Sequence, residues 1–155
     1  KNLKRYRNWP CFVMLYMGAN TEHPHEDQEA VNLGADGTGT FEVVGTNGTV
    51  SIADSLILSN STQSVVRFVA REKSVTPVKV GGKLVVQPGA RLEVDASALT
   101  KSSLRLFKFG EMEGAFDPAD ITVVGQKNPG DCRLQVRGNE LWMKLPGPGM
   151  LMIVR

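Results

Sequence analysis

His23-Pro-His25-Glu26-Asp27 holds both histidines of the chain beside two carboxylates. Histidines two apart in an extended loop can chelate a divalent ion, with Glu26 or Asp27 adding oxygen. A solvated polar loop between two strands explains the same residues, and no third ligand stands at a recognised spacing. His23, His25 and Glu26 are thus weak metal candidates, and no metal or other cofactor is expected. The turn Asn32-Leu-Gly-Ala-Asp-Gly-Thr-Gly39 is similar to Gly/Asp-rich calcium turns. Calcium wants six to eight oxygens, and Asp36 is the one carboxylate there. The turn reads as a chain corner.

Four acids, Glu111, Glu113, Asp117 and Asp120, cluster in what reads as one loop. Glycoside hydrolysis uses a pair of carboxyls, one protonated and one ionised. A soluble acidic loop is the simpler reading, so no catalytic residue is assigned. Asp54 and Asp95 each follow a strand and read as Asx-turn residues that fix corners. No Gly-x-Ser-x-Gly elbow supports serine chemistry. Trp9, Trp142, Tyr6 and Tyr16 could stack on sugars or on a partner. With aromatics at 6% they read first as core or end-cap residues, and Trp9 and Trp142 remain the ligand-binding candidates.

The elements that must hold these residues belong to one domain of 155 residues, long enough for a real core. The net charge of +2 is too small for a nucleic-acid footprint, so no nucleic-acid partner is expected. Lys1, Lys4, Arg5 and Arg7 read as a solvated basic terminus. The apolar run Trp9–Met17 follows them, in the order of a signal peptide. It reads instead as a buried strand, and it is shorter than the ~20 residues of a membrane helix, so no membrane-spanning segment is expected. Cys11 and Cys132 are the two cysteines. Two buried thiols that never meet is the preferred state, and sequence leaves their bonding open.

Helical periodicity is nearly absent, the best candidate being a turn or two over Asp27–Leu33. Strand signals fill the rest: Phe12–Met17, Thr40–Val44, Thr49–Ile52, Ser55–Leu58, Val65–Ala70, Val78–Val80, Lys83–Val86 and Arg91–Val94. Ser103–Phe109, Ile121–Val124, Arg133–Val136, Glu140–Leu145 and Met150–Val154 follow. Asn47-Gly48, Pro88-Gly89, Pro129-Gly130 and Gly138-Asn139 punctuate them.

Many short strands with tight corners suit a parallel β-solenoid or an antiparallel β-sandwich. Very short strands and one-to-three-residue joints favour an all-β, right-handed parallel β-solenoid with an antiparallel C-terminal cap. Gly45–Asp54 loosely echoes Val85–Asp95, which suggests a repeat spanning about forty residues. The expected layout is a single domain: an N-terminal strand and polar loop over 1–33, coils over 34–100, and capping strands over 101–155. Val80–Asp95 should cover about one and a half coils. Within it Leu84, Val86, Leu92 and Val94 should face inward, and Lys83, Arg91 and Glu93 outward.

Gly81-Gly-Lys-Leu-Val-Val-x-Pro-Gly-Ala-x-Leu-x-Val-Asp95, then Leu104-x-Leu-Phe107, Gly114-x-Phe116 and Ile121-Thr-Val123, resemble the C-terminal end of bacterial autotransporter passengers and related secreted β-solenoid repeat proteins. The resemblance implies a secreted or cell-surface β-solenoid. It does not imply self-translocation, since no run of barrel strands appears here. The expected function is a structural or display module, adhesive in contact with a glycan or a host or cell-surface protein. The alternative is a carbohydrate-active enzyme or a carbohydrate-binding accessory module.

Overall fold

Runs of three to six residues alternate valine, leucine or isoleucine with polar residues, and such runs become strands with one buried face. A computed structural model describes residues 12–16, 30–33, 40–45, 50–59, 65–71, 74–99 and 102–146. After β1 (Phe12–Tyr16) come three sets of three strands and a last set of four. The first set is β2 (Ala30–Leu33), β3 (Thr40–Val44) and β4 (Val50–Ile52). The second is β5 (Ser55–Leu58), β6 (Val65–Val69) and β7 (Val78–Val80). The third is β8 (Lys83–Val86), β9 (Arg91–Asp95) and β10 (Ser103–Lys108). The last is β11 (Glu111–Gly114) and β12 (Ile121–Val124), followed by β13 (Arg133–Arg137) and β14 (Glu140–Lys144).

Each set sends its strands to three sheets in the same order. Sheet I is β2-β5-β8-β11, sheet II is β1-β3-β6-β9-β12, and sheet III is β4-β7-β10-β14-β13. The fold is all-β and its pairing is mostly parallel. Among the described strands, β1 with β3, and β14 with both β10 and β13, pair antiparallel. An antiparallel sandwich is therefore not what the chain forms.

The register sets the true period. Phe41 pairs with Val66, 25 residues on, and Leu92 with Ile121, 29 residues on. The forty-residue echo is not this period. Gly45–Asp54 runs into sheet III, whereas Val85–Asp95 runs from sheet I into sheet II. They share a corner-then-strand pattern and not a position. Val80–Asp95 accordingly spans two strands of one set, less than the one and a half coils expected. Parallel pairing also continues past residue 100: Phe107 pairs with Val78, Glu111 with Lys83 and Ile121 with Leu92. Among the described strands after residue 100, β13 and β14 break the parallel order.

Inward residues stack in rows between successive strands. Leu84 lies between Leu56 and Met112, and Phe68 between Val43 and Val94. Leu84, Val86, Leu92 and Val94 are buried, Lys83 and Arg91 are exposed, and Glu93 is half-exposed. That is the expected inward–outward register. The core lies between the sheets, where Phe68 of sheet II meets Phe107 of sheet III edge to face at 5.2 Å. Each fully buried Val or Leu contributes about 1.5–3 kcal/mol relative to exposure.

Corners make the stacking possible. Pro88 and Gly89 occupy the middle of a turn closed by the Ala90 N–H to the Gln87 carbonyl at 3.1 Å. Gly89 takes a φ of 85°, as a type II turn requires. β8 and β9 leave this turn for different sheets, so it is a corner and not a hairpin. Gly81 and Gly82 form the next tighter corner. Their N–H groups donate to the Ile52 and Asp54 carbonyls at 2.8 and 2.6 Å. A Cβ on Gly81 would stand 2.0 Å from the Ala53 carbonyl oxygen.

Two expectations fail on strand identity. Ala30–Leu33 is β2, paired in parallel with β5, and not the helical turn read over Asp27–Leu33. Glu111–Gly114 is β11, so two of the four acids lie on a strand and not in a loop. Ala30, Asn32, Glu111, Glu113 and Gly114 are residue types with weak strand preference, and parallel neighbours in the sheet impose the extended backbone.

Candidate functional site

The outward positions of sheet III carry the densest charge pattern. The register aligns Lys79, Lys108, Glu140 and Arg137 in one row across β7, β10, β14 and β13. A second row holds Arg105, Trp142 and Gln135, and a third Ser103, Lys144 and Arg133. Strand alternation directs all of them away from the core. A bulge lets β10 do this: the pairing shifts between Arg105 and Phe107, and both Leu106 and Phe107 are buried.

Trp142 sits half-buried at the centre of this face, with Arg105 6.0 Å and Arg137 5.4 Å from its ring centroid. Its Nε1–H donates to Glu140 at 3.0 Å. Arg105 donates to the other Glu140 oxygen at 2.7 Å, and Arg137 donates to Gln135 at 2.7 Å. The Arg105 hydrogen bond holds the Glu140 carboxyl below the usual range. The ring is thus engaged by guanidinium groups from both neighbouring strands, and it braces cations instead of offering a bare platform for a sugar. Trp142 was legible as a ligand candidate. The six cations around it were not, because net charge averages over faces.

On the other sheets an outward cation stands between acids. On sheet II, Arg67 bridges Glu42 at 3.4 Å and Glu93 at 3.0 Å. On sheet I, Lys83 lies 3.4 Å from Glu111 and 3.9 Å from Glu113. The acids read as a loop cluster are therefore split. Glu111 and Glu113 pair with Lys83, and Asp117 caps a short 3-10 turn through the Ala119 N–H at 2.8 Å. Asp95 accepts the Ser97 N–H at 3.0 Å, as its corner role predicts. Asp54 instead accepts from the Ser55 hydroxyl.

No family model, no curated protein and no solved structure matches this chain.

The remaining candidates are placed as follows. His23, His25, Glu26, Trp9, Cys11 and Asp36 lie outside the described residues. Among the described residues no group of three or more His, Cys, Asp or Glu side chains is placed to hold a metal ion. A crevice between Leu33, Leu58, Ser59, Val66 and Ala90 has no room for a water molecule. Cys132 is a free, half-buried thiol whose pKa is pushed up, first by burial and then by Asp131. Among the described residues no helix is long and apolar enough to cross a membrane.

Proposed function

We propose that this chain is a non-enzymatic parallel β-helix segment of a secreted or cell-surface protein, used as a rigid structural or display element. The observation that carries the reading is the strand order. Three successive sets feed sheets I, II and III in turn with parallel register between them, and the fourth adds parallel strands to sheets I and II. In such an arrangement each set packs against its neighbours, and stiffness comes from the stacked interior rows. The β13–β14 hairpin then covers the edge of β10 in sheet III, which would otherwise template pairing with another chain. The sequence resemblance to secreted β-solenoid proteins supports the extracellular setting, and adhesion is the associated role. The carbohydrate-active alternative gains no support from the acids, since Glu111 and Glu113 are engaged by Lys83.

Incubating the full chain with a panel of plant, bacterial and animal polysaccharides and measuring released reducing ends or unsaturated products tests this. No turnover above buffer is expected. Turnover abolished by Glu111→Gln or Glu113→Gln would replace the structural reading with the enzymatic one.

A further inference from the structure

We propose that the outer face of sheet III is a binding surface for an extended acidic polysaccharide, a sulfated or uronate-bearing chain lying across the strands. The face gathers Lys79, Arg105, Lys108, Arg133, Arg137 and Lys144, all exposed, against one acid, Glu140. The whole chain has 18 Lys and Arg against 16 Asp and Glu. A third of its cations therefore share one sheet face with one of its acids. Glu140 is already engaged by Arg105 and Trp142, so the excess of positive charge faces solvent.

The fold does not need this arrangement. Lys79 neighbours Lys108, and Arg133 stands opposite Lys144. Like charges directly opposite destabilise a sheet. Sheets I and II show the stabilising solution, with acids set beside Arg67 and Lys83. A bound polyanion would relieve the repulsion on sheet III.

The form of the face selects the polyanion. Neighbouring strands lie about 4.8 Å apart, so Lys79 and Lys108 are spaced at the scale of one strand step along a line perpendicular to the strands. The guanidinium groups of Arg105 and Arg137, held at the Trp142 ring, present planar donors that suit sulfate and carboxylate groups. Single-stranded nucleic acid binds largely by stacking bases on aromatic rings, and the ring here is engaged by arginines. A bilayer would gain from an aliphatic side chain entering it. The outward positions Ser51, Lys79, Ser103, Arg105, Lys108, Glu140, Trp142, Lys144, Arg133, Gln135 and Arg137 supply none.

Heparin, as a sulfated polysaccharide probe, is titrated into the full chain at low and moderate salt. Two charge-matched variants are run beside the parent: Lys79→Gln/Lys108→Gln/Lys144→Gln on the face, and Arg71→Gln/Lys83→Gln/Lys127→Gln away from it. The expected result is saturable, salt-sensitive binding, weakened about tenfold or more by the face variant and little by the other. Absence of heparin binding, or equal weakening in both variants, would overturn the proposal. Tighter binding to an oligothymidylate or to phosphatidylserine vesicles than to heparin would overturn the choice of polysaccharide. Unfolding midpoints of both variants check that the fold is intact.

Discussion

A side chain at position 81 has no space, because its Cβ would meet the Ala53 carbonyl oxygen at 2.0 Å on the preceding corner. That carbonyl belongs to backbone held by the Gly81 and Gly82 hydrogen bonds to Ile52 and Asp54, so it cannot swing aside cheaply. Gly81→Ala should therefore destabilise by about 3 kcal/mol, at the upper end of overpacking costs. Gly130→Ala is the control: nothing lies within 4 Å of its Cβ position. It should change stability by no more than about 0.5 kcal/mol, as expected for an open surface site. Urea unfolding of the two variants reads the difference, and equal costs would show that the corner is not stacked as described. The sequence announces the Gly81-Gly82 corner but not its cause, which is contact with residues nearly thirty positions earlier. Chemistry was harder still to read. Glu111 and Glu113 looked like spare acids because their partner, Lys83, comes from another strand set.

Elements explain which expectations succeeded. Lys83–Val86 and Val78–Val80 were readable to the residue, because these short valine- and leucine-rich runs are punctuated by Pro77, Gly81, Gly82 and Pro88. β2 and β11 were missed because Ala30–Leu33 and Glu111–Gly114 have weak strand preference and take their conformation from parallel neighbours. The basic face needed one further step. Lys79, Arg105 and Lys144 fall at alternate, outward positions of strands that were recognised, but which strands lie side by side is not written in any local pattern. The β10–β14 pair also makes an electrostatic prediction. Arg105 depresses the Glu140 pKa in the folded chain. This carboxylate then contributes stability above its unfolded pKa and loses it as pH falls through the folded value. In an NMR titration Glu140 should titrate below the ordinary glutamate range, and Arg105→Ala should move it back up. An unmoved titration would mean that Arg105 is not its principal partner.

At the scale of the whole molecule, three sheets share one interior, and each gains a strand from each successive set. Phe68 and Phe107 join two sheets across that interior, while Leu56, Leu84 and Met112 link three sets along one. This economy accounts for the scarcity of chemistry: most residues either stack inward or turn corners, and function falls to the outer faces. On sheets I and II the outward Lys83 and Arg67 stand beside acids, whereas sheet III gathers six cations around Glu140. All of it depends on β8 pairing with β5 and β11, and not with β9 across the Pro88-Gly89 turn. Disulfide trapping tests that dependence directly. In a background with Cys11 and Cys132 replaced by serine, Lys83→Cys is combined with Glu111→Cys or with Val94→Cys, the position that a hairpin closed by Gln87 and Ala90 would set opposite residue 83. Parallel neighbours at about 4.8 Å fall within the Cα range of a disulfide. The 83–111 pair should oxidise readily with the fold retained, and the 83–94 pair should stay reduced. Rapid closure of 83–94 with 83–111 left open would mean a hairpin about Pro88-Gly89, and it would contradict the three-sheet stacking.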